Sequence, residues 1–145
     1  MQPRLLWFLT LGFGTLVLLQ IWLGGWLFIT DVGTTVDSIF RYYSHKSFDG
    51  MIEVFIPHVL LISIALMGLL HFLVFIEILS NQFKETASHL LFILLILDQV
   101  SPFGIMMGVK FFVYLKIISF ILFNVLLSGV WIMMFRAITQ GVQQK

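Results

Sequence analysis

Residues 112–135 read FVYLKIISFILFNVLLSGVWIMMF, a run in which Lys116 is the only charged side chain. A helix needs about 20 predominantly apolar residues to cross a hydrocarbon core roughly 30 Å thick, so this run predicts a membrane-spanning helix. Three further stretches meet the same requirement, at residues 5–29, 52–79 and 88–108. The sequence therefore predicts four transmembrane helices.

The composition of the whole chain agrees with a lipid environment. Of 145 residues, 60% are hydrophobic and 10% are charged, whereas a soluble domain carries about 25% charged residues. Such high hydrophobicity also excludes an intrinsically disordered chain. Eight Lys and Arg against seven Asp and Glu form no basic block, so nucleic acid is not an expected partner. The absence of cysteine excludes disulfides, thiolate metal sites and a cysteine nucleophile.

The connections between the predicted spans are unequal in length. Residues 30–51 form a long loop, whereas residues 80–87 and about 109–111 form short ones. Short connections make consecutive helices antiparallel. We therefore expect an all-α integral membrane protein, a single domain over 1–145 built as an up-down antiparallel four-helix bundle. Residues 137–145 are expected to fray as a terminal tail.

The positive-inside rule does not orient this bundle, because the Lys and Arg residues divide equally between its two sides. The side of the termini carries Arg4, Lys84, Arg136 and Lys145, and the other side carries Arg41, Lys46, Lys110 and Lys116. Since Lys116 falls within its span and the amino terminus adds a charge, we expect cytoplasmic termini in an inner or plasma membrane.

The long loop contains its own helix signal. Thr35 followed by Asp37 is typical of a helix start, and Val36, Ile39 and Tyr43 then fall at helical spacing. This pattern predicts a short helix lying on the outer membrane interface. We interpret it as an interfacial anchor, and a lid or docking surface is the alternative.

Polar side chains inside the spans are candidate functional residues, because an ionisable group at a helix centre costs about 2.5–3.5 kcal/mol to insert. Asp98 and Asn124 lie near the midpoints of the third and fourth spans, and Gln20 lies near that of the first. We therefore expect these three side chains to share one layer. Read across the membrane, the polar ladder is Glu77, His71, Asp98 with Gln99, Asn124 and Gln20, then His58 with Lys116, and finally Glu53.

Two interpretations of this ladder stay open. Alternating carboxylates and imidazoles are typical of a proton or ion path. Alternatively, each polar group bonds to a neighbouring helix and holds the bundle in register. We expect Lys116 to snorkel to the outer interface. Asp98, as a buried carboxylate, is the stronger functional candidate.

Pro102 affects the backbone at Asp98, one helical turn earlier in the chain. Proline has no N–H, so the backbone carbonyl of Asp98 loses its helical donor. A freed carbonyl beside a carboxylate can line a cavity for a ligand or for water, and a harmless kink is the alternative. Gly104 and Gly108 form a small-xxx-small pattern, which predicts close contact between helices.

Four histidines and seven methionines raise the question of haem or copper. A single haem b has two candidate ligand pairs, His71 with His89 and His45 with His58. Two stacked haems on one helix are disfavoured, because His58 and His71 point roughly 140° apart around it. The methionines are scattered, so no metal site is expected.

The sequence lacks the common nucleotide-binding, hydrolase and zinc-protease motifs. Asp98 is the only central acid, whereas aspartyl chemistry needs two, so autonomous catalysis is not expected. The favoured function is a small integral subunit of a larger membrane complex, either an electron-transfer subunit associated with haem b or quinone or an accessory subunit. Its partners would be other membrane subunits or further copies. The alternatives are a proton-coupled transporter or channel centred on Asp98, and a non-catalytic assembly or scaffold factor.

Overall fold

The computed structural model describes residues 3–77 and 79–143, and every regular element within these ranges is helical. The elements are α1 (Pro3–Leu27), which continues into a π turn (Phe28–Val32), α2 (Val36–Ser44), α3 (Phe48–Val74), α4 (Asn81–Met106) and α5 (Phe111–Gln143). The four long helices are long and apolar enough to cross a membrane. The predicted all-α protein with four spanning helices is therefore confirmed, and α2 is the short helix of the long loop.

The four long helices form a ring in which each packs against two neighbours. α4 and α5 make the most extensive contact, α1 packs on α5 and α3, and α3 closes the ring against α4. The connections at 75–80 and 107–110 are so short that consecutive helices run antiparallel. The main core holds buried side chains from all four, centred on Leu66, Leu73, Leu91, Leu127, Val130 and Met134.

The helix bounds around the α3–α4 connection differ from the predicted 52–79 and 88–108. α3 ends at Val74, so Glu77 lies in the connection and not in the helix. α4 begins much earlier than expected, because the Ser80 hydroxyl caps it by accepting from the Phe83 N–H at 3.2 Å. The polar first turns of α4 thus continue the helix beyond its apolar part.

The fourth span is also longer than predicted. α5 continues to Gln143, so the expected frayed tail is helical as far as that residue, and residues 144 and 145 lie outside the described part. Ala137 and Ile138 are buried in the main core. Their packing holds the end of α5 in a regular helix.

α2 packs against the ends of α4 and α5 through a second, smaller hydrophobic core. A capping box starts the helix, with Thr35 and Ser38 each accepting from the other's backbone N–H. Ile39 is 1% exposed and packs with Ile105 and Val113. α2 therefore covers the end of the α4–α5 hairpin.

The two glycines of the predicted small-xxx-small pattern have different roles. Gly104 meets α5 closely, since a Cβ there would overlap the ring of Phe112. Gly108 ends α4 with a φ of 85°. Its N–H donates to the Ile105 carbonyl at 2.8 Å and the next N–H, of Val109, donates to the Gly104 carbonyl at 3.2 Å, which is the Schellman arrangement.

Candidate functional site

Asp98 of α4 and Lys116 of α5 face each other across the most extensive helix contact in the described part of the chain. Lys116 Nζ lies 2.7 Å from Asp98 Oδ1, and each residue is 7% exposed. The two positions meet because they lie at similar distances along the chain from the 107–110 turn of an antiparallel hairpin. An unpaired charge buried here would cost several kcal/mol. The attraction between the two charges offsets this desolvation cost for both residues.

The carbonyl freed by Pro102 is part of the same centre. Lys116 Nζ donates to the backbone oxygen of Asp98 at 3.2 Å, in place of the N–H that proline lacks. Gln99 Nε2 donates to the second carboxylate oxygen of Asp98 at 2.9 Å. Ser101 donates its hydroxyl to the carbonyl of Leu97. All three oxygens of Asp98 therefore have a protein donor.

Aromatic residues from the π turn and from α2 cover this pair. Lys116 Nζ lies 5.9 Å from the ring centroid of Phe28, which stacks on Phe120 at 5.4 Å. Tyr43 of α2 is close enough for electrostatic coupling to the carboxylate. Burial raises the pKa of the Tyr43 hydroxyl above its ordinary 10.0, and the charge of Asp98 raises it further. Four elements, namely α4, α5, the π turn and α2, thus converge on the pair.

One expectation about this region is wrong. Lys116 does not snorkel outward, because the carboxylate of Asp98 is nearer and bonds to it within the bundle. The spacing of Asp98 and Lys116 on either side of the turn was the sequence signal that could have identified the pair.

The expected layer of Asp98, Asn124 and Gln20 does not assemble. Asn124 donates to the carbonyl of Phe120 on its own helix at 2.7 Å. Gln20 is exposed on α1, and the two acids Glu53 and Glu77 are exposed as well. Among the described residues, the polar ladder is reduced to one ion pair and several outward-facing groups.

All the candidate haem ligands lie on the outside of the bundle, namely His45, His58, His71 and His89. His71 packs against the ring of Phe75 with centroids 5.1 Å apart. Within the described ranges, no group of three or more His, Cys, Asp or Glu is placed to hold a metal ion. A haem held by these histidines would therefore sit against the outer surface, covered by lipid or by another protein.

A small apolar recess lies where α1, α3 and α5 meet. It is lined by Val17, Gln20, Ile21, Ile62, Ala65, Leu66, Phe123 and Leu127. His58 lies one turn along α3 from Ile62, on the side of the helix that also carries Met51 and Ala65. Met51 is 4% exposed and Ala65 is half-buried, yet His58 between them is exposed. His58 therefore lies outside the recess and faces outward from α3.

A second polar feature was not predicted from the sequence. Thr10 Oγ1 and Trp131 Nε1 are buried and have no hydrogen-bond partner in the described part of the chain. Gly14, one turn after Thr10, lets the indole of Trp131 approach α1, since a Cβ there would overlap it. Thr and Trp are ordinary residues in spanning helices, so no sequence signal marked this contact.

Comparison with known proteins gives a family but no close relative. A family model described as Aq_1264_TM, a transmembrane helical domain, matches residues 33–145. This region contains α2 to α5 and therefore both members of the ion pair. No curated protein and no solved structure matches the chain.

Proposed function

Because this small multi-pass integral membrane protein belongs to the Aq_1264_TM family of transmembrane helical domains, we propose that it acts as a subunit of a larger membrane assembly. In this proposal a transmembrane partner packs against the exposed faces of α1 and α3. The α2–α4–α5 part, held by the Asp98–Lys116 pair, is the rigid support. The proposed location is an inner or plasma membrane with cytoplasmic termini.

The exposure of Gln20 and His58 at mid-membrane depth carries the proposal. A polar group placed in hydrocarbon without a hydrogen bond costs roughly 2–7 kcal/mol, depending on the reference state. Interhelical hydrogen bonds from such side chains are a common means of association in membranes. His58 Nδ1 already bonds to the Val54 carbonyl at 3.1 Å, so a partner helix would remove this cost for the Gln20 amide and for the second ring nitrogen of His58.

The uneven packing of the bundle supports the same assignment. In the most apolar windows of α1 and α3, 11% of residues are buried, against 39% in α4 and 28% in α5. α1 and α3 therefore keep most of their surface available. Large apolar side chains cover that surface, including Trp22 and Leu60, which are 71% and 58% exposed. Lipid or a partner helix can pack against such a surface.

Photocrosslinking in the intact membrane tests this proposal. A photoreactive phenylalanine analogue at Ile62, which is half-buried on α3 next to α1, samples this surface. The same group at Val125, which is 66% exposed on α5, is the matched control. We expect a protein adduct from Ile62, mapped by mass spectrometry to a membrane-spanning segment, and none from Val125. Equal adducts at both positions, or none at either, would contradict the proposal.

If the subunit binds a cofactor, the proposed role is electron transfer. If it binds none, the proposed role is assembly or scaffolding of the complex. His71 with His89, or His45 with His58, would hold haem b at the contact with the partner, and quinone would bind near His71. The purified protein should then show a Soret band that is lost when the ligand histidine is replaced. A colourless assembly favours the accessory or scaffold role.

Proton-coupled transport is a second candidate, and the buried Asp98–Lys116 pair favours it. Ionisable groups inside a membrane are functional candidates by default. Transport ranks second because Lys116 and Gln99 already donate hydrogen bonds to the oxygens of Asp98, as expected of a pair that stabilises the fold. In proteoliposomes, Asp98→Asn should abolish proton-coupled flux, and undiminished flux in that variant would reject this candidate.

A further inference from the structure

We propose that an open recess beside α2 binds the headgroup of a zwitterionic phospholipid, one that carries a phosphate and a primary ammonium. The recess lies between the π turn and the polar face of α2, and its volume is about 560 Å³. This volume falls within the range of about 300–1,000 Å³ that is usual for small-molecule sites. The inference concerns a different surface from the faces of α1 and α3, and it does not depend on the proposed function.

Charges of opposite sign line the recess at separate positions. Asp31 of the π turn and Asp37 in the first turn of α2 supply two carboxylates, and Arg41 and His45 follow one and two turns after Asp37. Residues one turn apart on a helix have Cβ atoms about 5–6 Å apart. A phosphate joined to an ammonium through two carbons separates its charges over a similar distance. Such a headgroup can therefore place its phosphate at Arg41 and its ammonium at the carboxylates.

The charged groups of the recess have no partner of opposite charge in the described part of the chain. The ion pair found there joins α4 to α5, and Asp31, Asp37 and Arg41 form none. Asp31 accepts a hydrogen bond from the hydroxyl of its neighbour Thr30 at 3.3 Å. The helix dipole favours an acid at the start of α2, but Asp31 is not part of that helix. The tertiary fold thus brings a second carboxylate to a recess that also holds a guanidinium.

The position of the recess favours a lipid over a soluble zwitterion. Residues 33–47 connect the first two spans at one surface of the membrane, so the recess lies at the level of lipid headgroups. Leu27 and Trp26, about one turn before Asp31, are 58% and 66% exposed. A lipid with its headgroup in the recess therefore places its acyl chains beside apolar side chains of α1.

Headgroup chemistry predicts which phospholipids the recess prefers. A primary ammonium has three N–H donors for the carboxylates, whereas the quaternary ammonium of a choline headgroup has none. A glycerol headgroup has no cation at all, so the carboxylates repel the phosphate of that lipid. We therefore expect an ethanolamine lipid to bind more tightly than choline and glycerol lipids with the same acyl chains.

Native mass spectrometry of the full chain tests this preference. Phosphatidylethanolamine, phosphatidylcholine and phosphatidylglycerol with identical acyl chains are titrated into the delipidated protein in detergent. Asp37→Asn should weaken binding of the ethanolamine lipid by about three- to tenfold, as expected for one charge-assisted hydrogen bond at an exposed site. It should not weaken binding of the glycerol lipid. Arg41→Gln should weaken binding of all three lipids, because each carries a phosphate.

The matched controls remove charges of the same sign from the same side of the membrane but outside the recess. Asp49→Asn and Lys110→Gln serve this purpose, since neither residue lines the recess, and both should leave the three affinities unchanged. Circular dichroism verifies that each variant folds. The preference of the unsubstituted chain among the three lipids is a test in itself, because it requires no variant.

Three results would overturn the inference. Equal affinities for the three lipids, unchanged in Asp37→Asn and Arg41→Gln, indicate nonspecific lipid around the bundle. Losses in the control variants as large as those in the recess variants indicate a general effect of surface charge. Displacement of the ethanolamine lipid by an equal concentration of soluble phosphoethanolamine assigns the recess to a soluble zwitterion and refutes the lipid.

Discussion

Replacing Lys116 by Met removes one partner of the buried pair and keeps a long apolar side chain in its place. Nζ and Oδ1 are 2.7 Å apart, so at an effective dielectric constant of about 20 their attraction is about 6 kcal/mol before desolvation is counted. Desolvation offsets much of this attraction. The substitution, however, strands Asp98 without its counter-ion, and breaking a buried pair in this way costs about 3–5 kcal/mol.

We therefore expect Lys116→Met to lower the free energy of unfolding by about 3–5 kcal/mol, or about two to four powers of ten in the unfolding equilibrium. Replacing both partners by apolar residues is often close to neutral. The double variant Asp98→Leu with Lys116→Met should recover most of the loss. It should not recover all of it, because the Asp98 carbonyl still lacks a donor, at a cost of about 1–3 kcal/mol.

Reversible unfolding in mixed micelles, followed by circular dichroism and extrapolated to zero denaturant, measures these free energies. The double-mutant cycle isolates the coupling between Asp98 and Lys116. The reasoning is refuted if Lys116→Met costs under about 1 kcal/mol, the range of exposed ion pairs, or if the double variant is less stable than Lys116→Met alone.

Two further predictions follow from the same region of the molecule. Gly104→Ala should destabilise the fold by about 1–3 kcal/mol, because the new methyl group would overlap the ring of Phe112. The control is Gly129→Ala on α5, where a Cβ meets nothing within 4 Å, and it should be neutral or stabilising by up to about 1 kcal/mol. Equal unfolding midpoints for the two variants would contradict this prediction. Burial and the charge of Asp98 raise the pKa of Tyr43 above 10.0. As pH rises, the unfolded chain therefore ionises this phenol before the folded chain does, so stability falls above about pH 10. An alkaline absorbance titration should show a late-ionising component that is absent in Tyr43→Phe, and an identical titration curve in that variant would count against the assignment.

The spans and the short helix of the loop were predictable because they depend on local properties. Uninterrupted apolar length predicts a spanning helix, and the Thr35 start signal with Ile39 at helical spacing predicts α2. The helix ends were less predictable. Residues 81–87 are polar and read as a connection, yet they extend α4 beyond its apolar part because Ser80 caps the helix.

The partner of Asp98 was missed for a different reason. Distance from the span midpoint groups Asp98 with Asn124, but it says nothing about which helix faces meet. The reach of the long Lys116 side chain brings Nζ to within 2.7 Å of Asp98, whereas Asn124 bonds to its own helix. The covering by Phe28 and Tyr43 depends on long-range packing of the π turn and α2, which no local pattern encodes.

The central claim of this account is that an ion pair inside the bilayer holds α4 to α5 in a four-span protein. A solid-state NMR measurement of the dipolar coupling between Lys116 ¹⁵Nζ and Asp98 ¹³Cγ in lipid bilayers tests it directly. We predict a strong coupling, corresponding to a separation within about 4 Å, that disappears in Lys116→Met. An undetectable coupling, with the Lys116 amine exchanging freely with water, would contradict the claim.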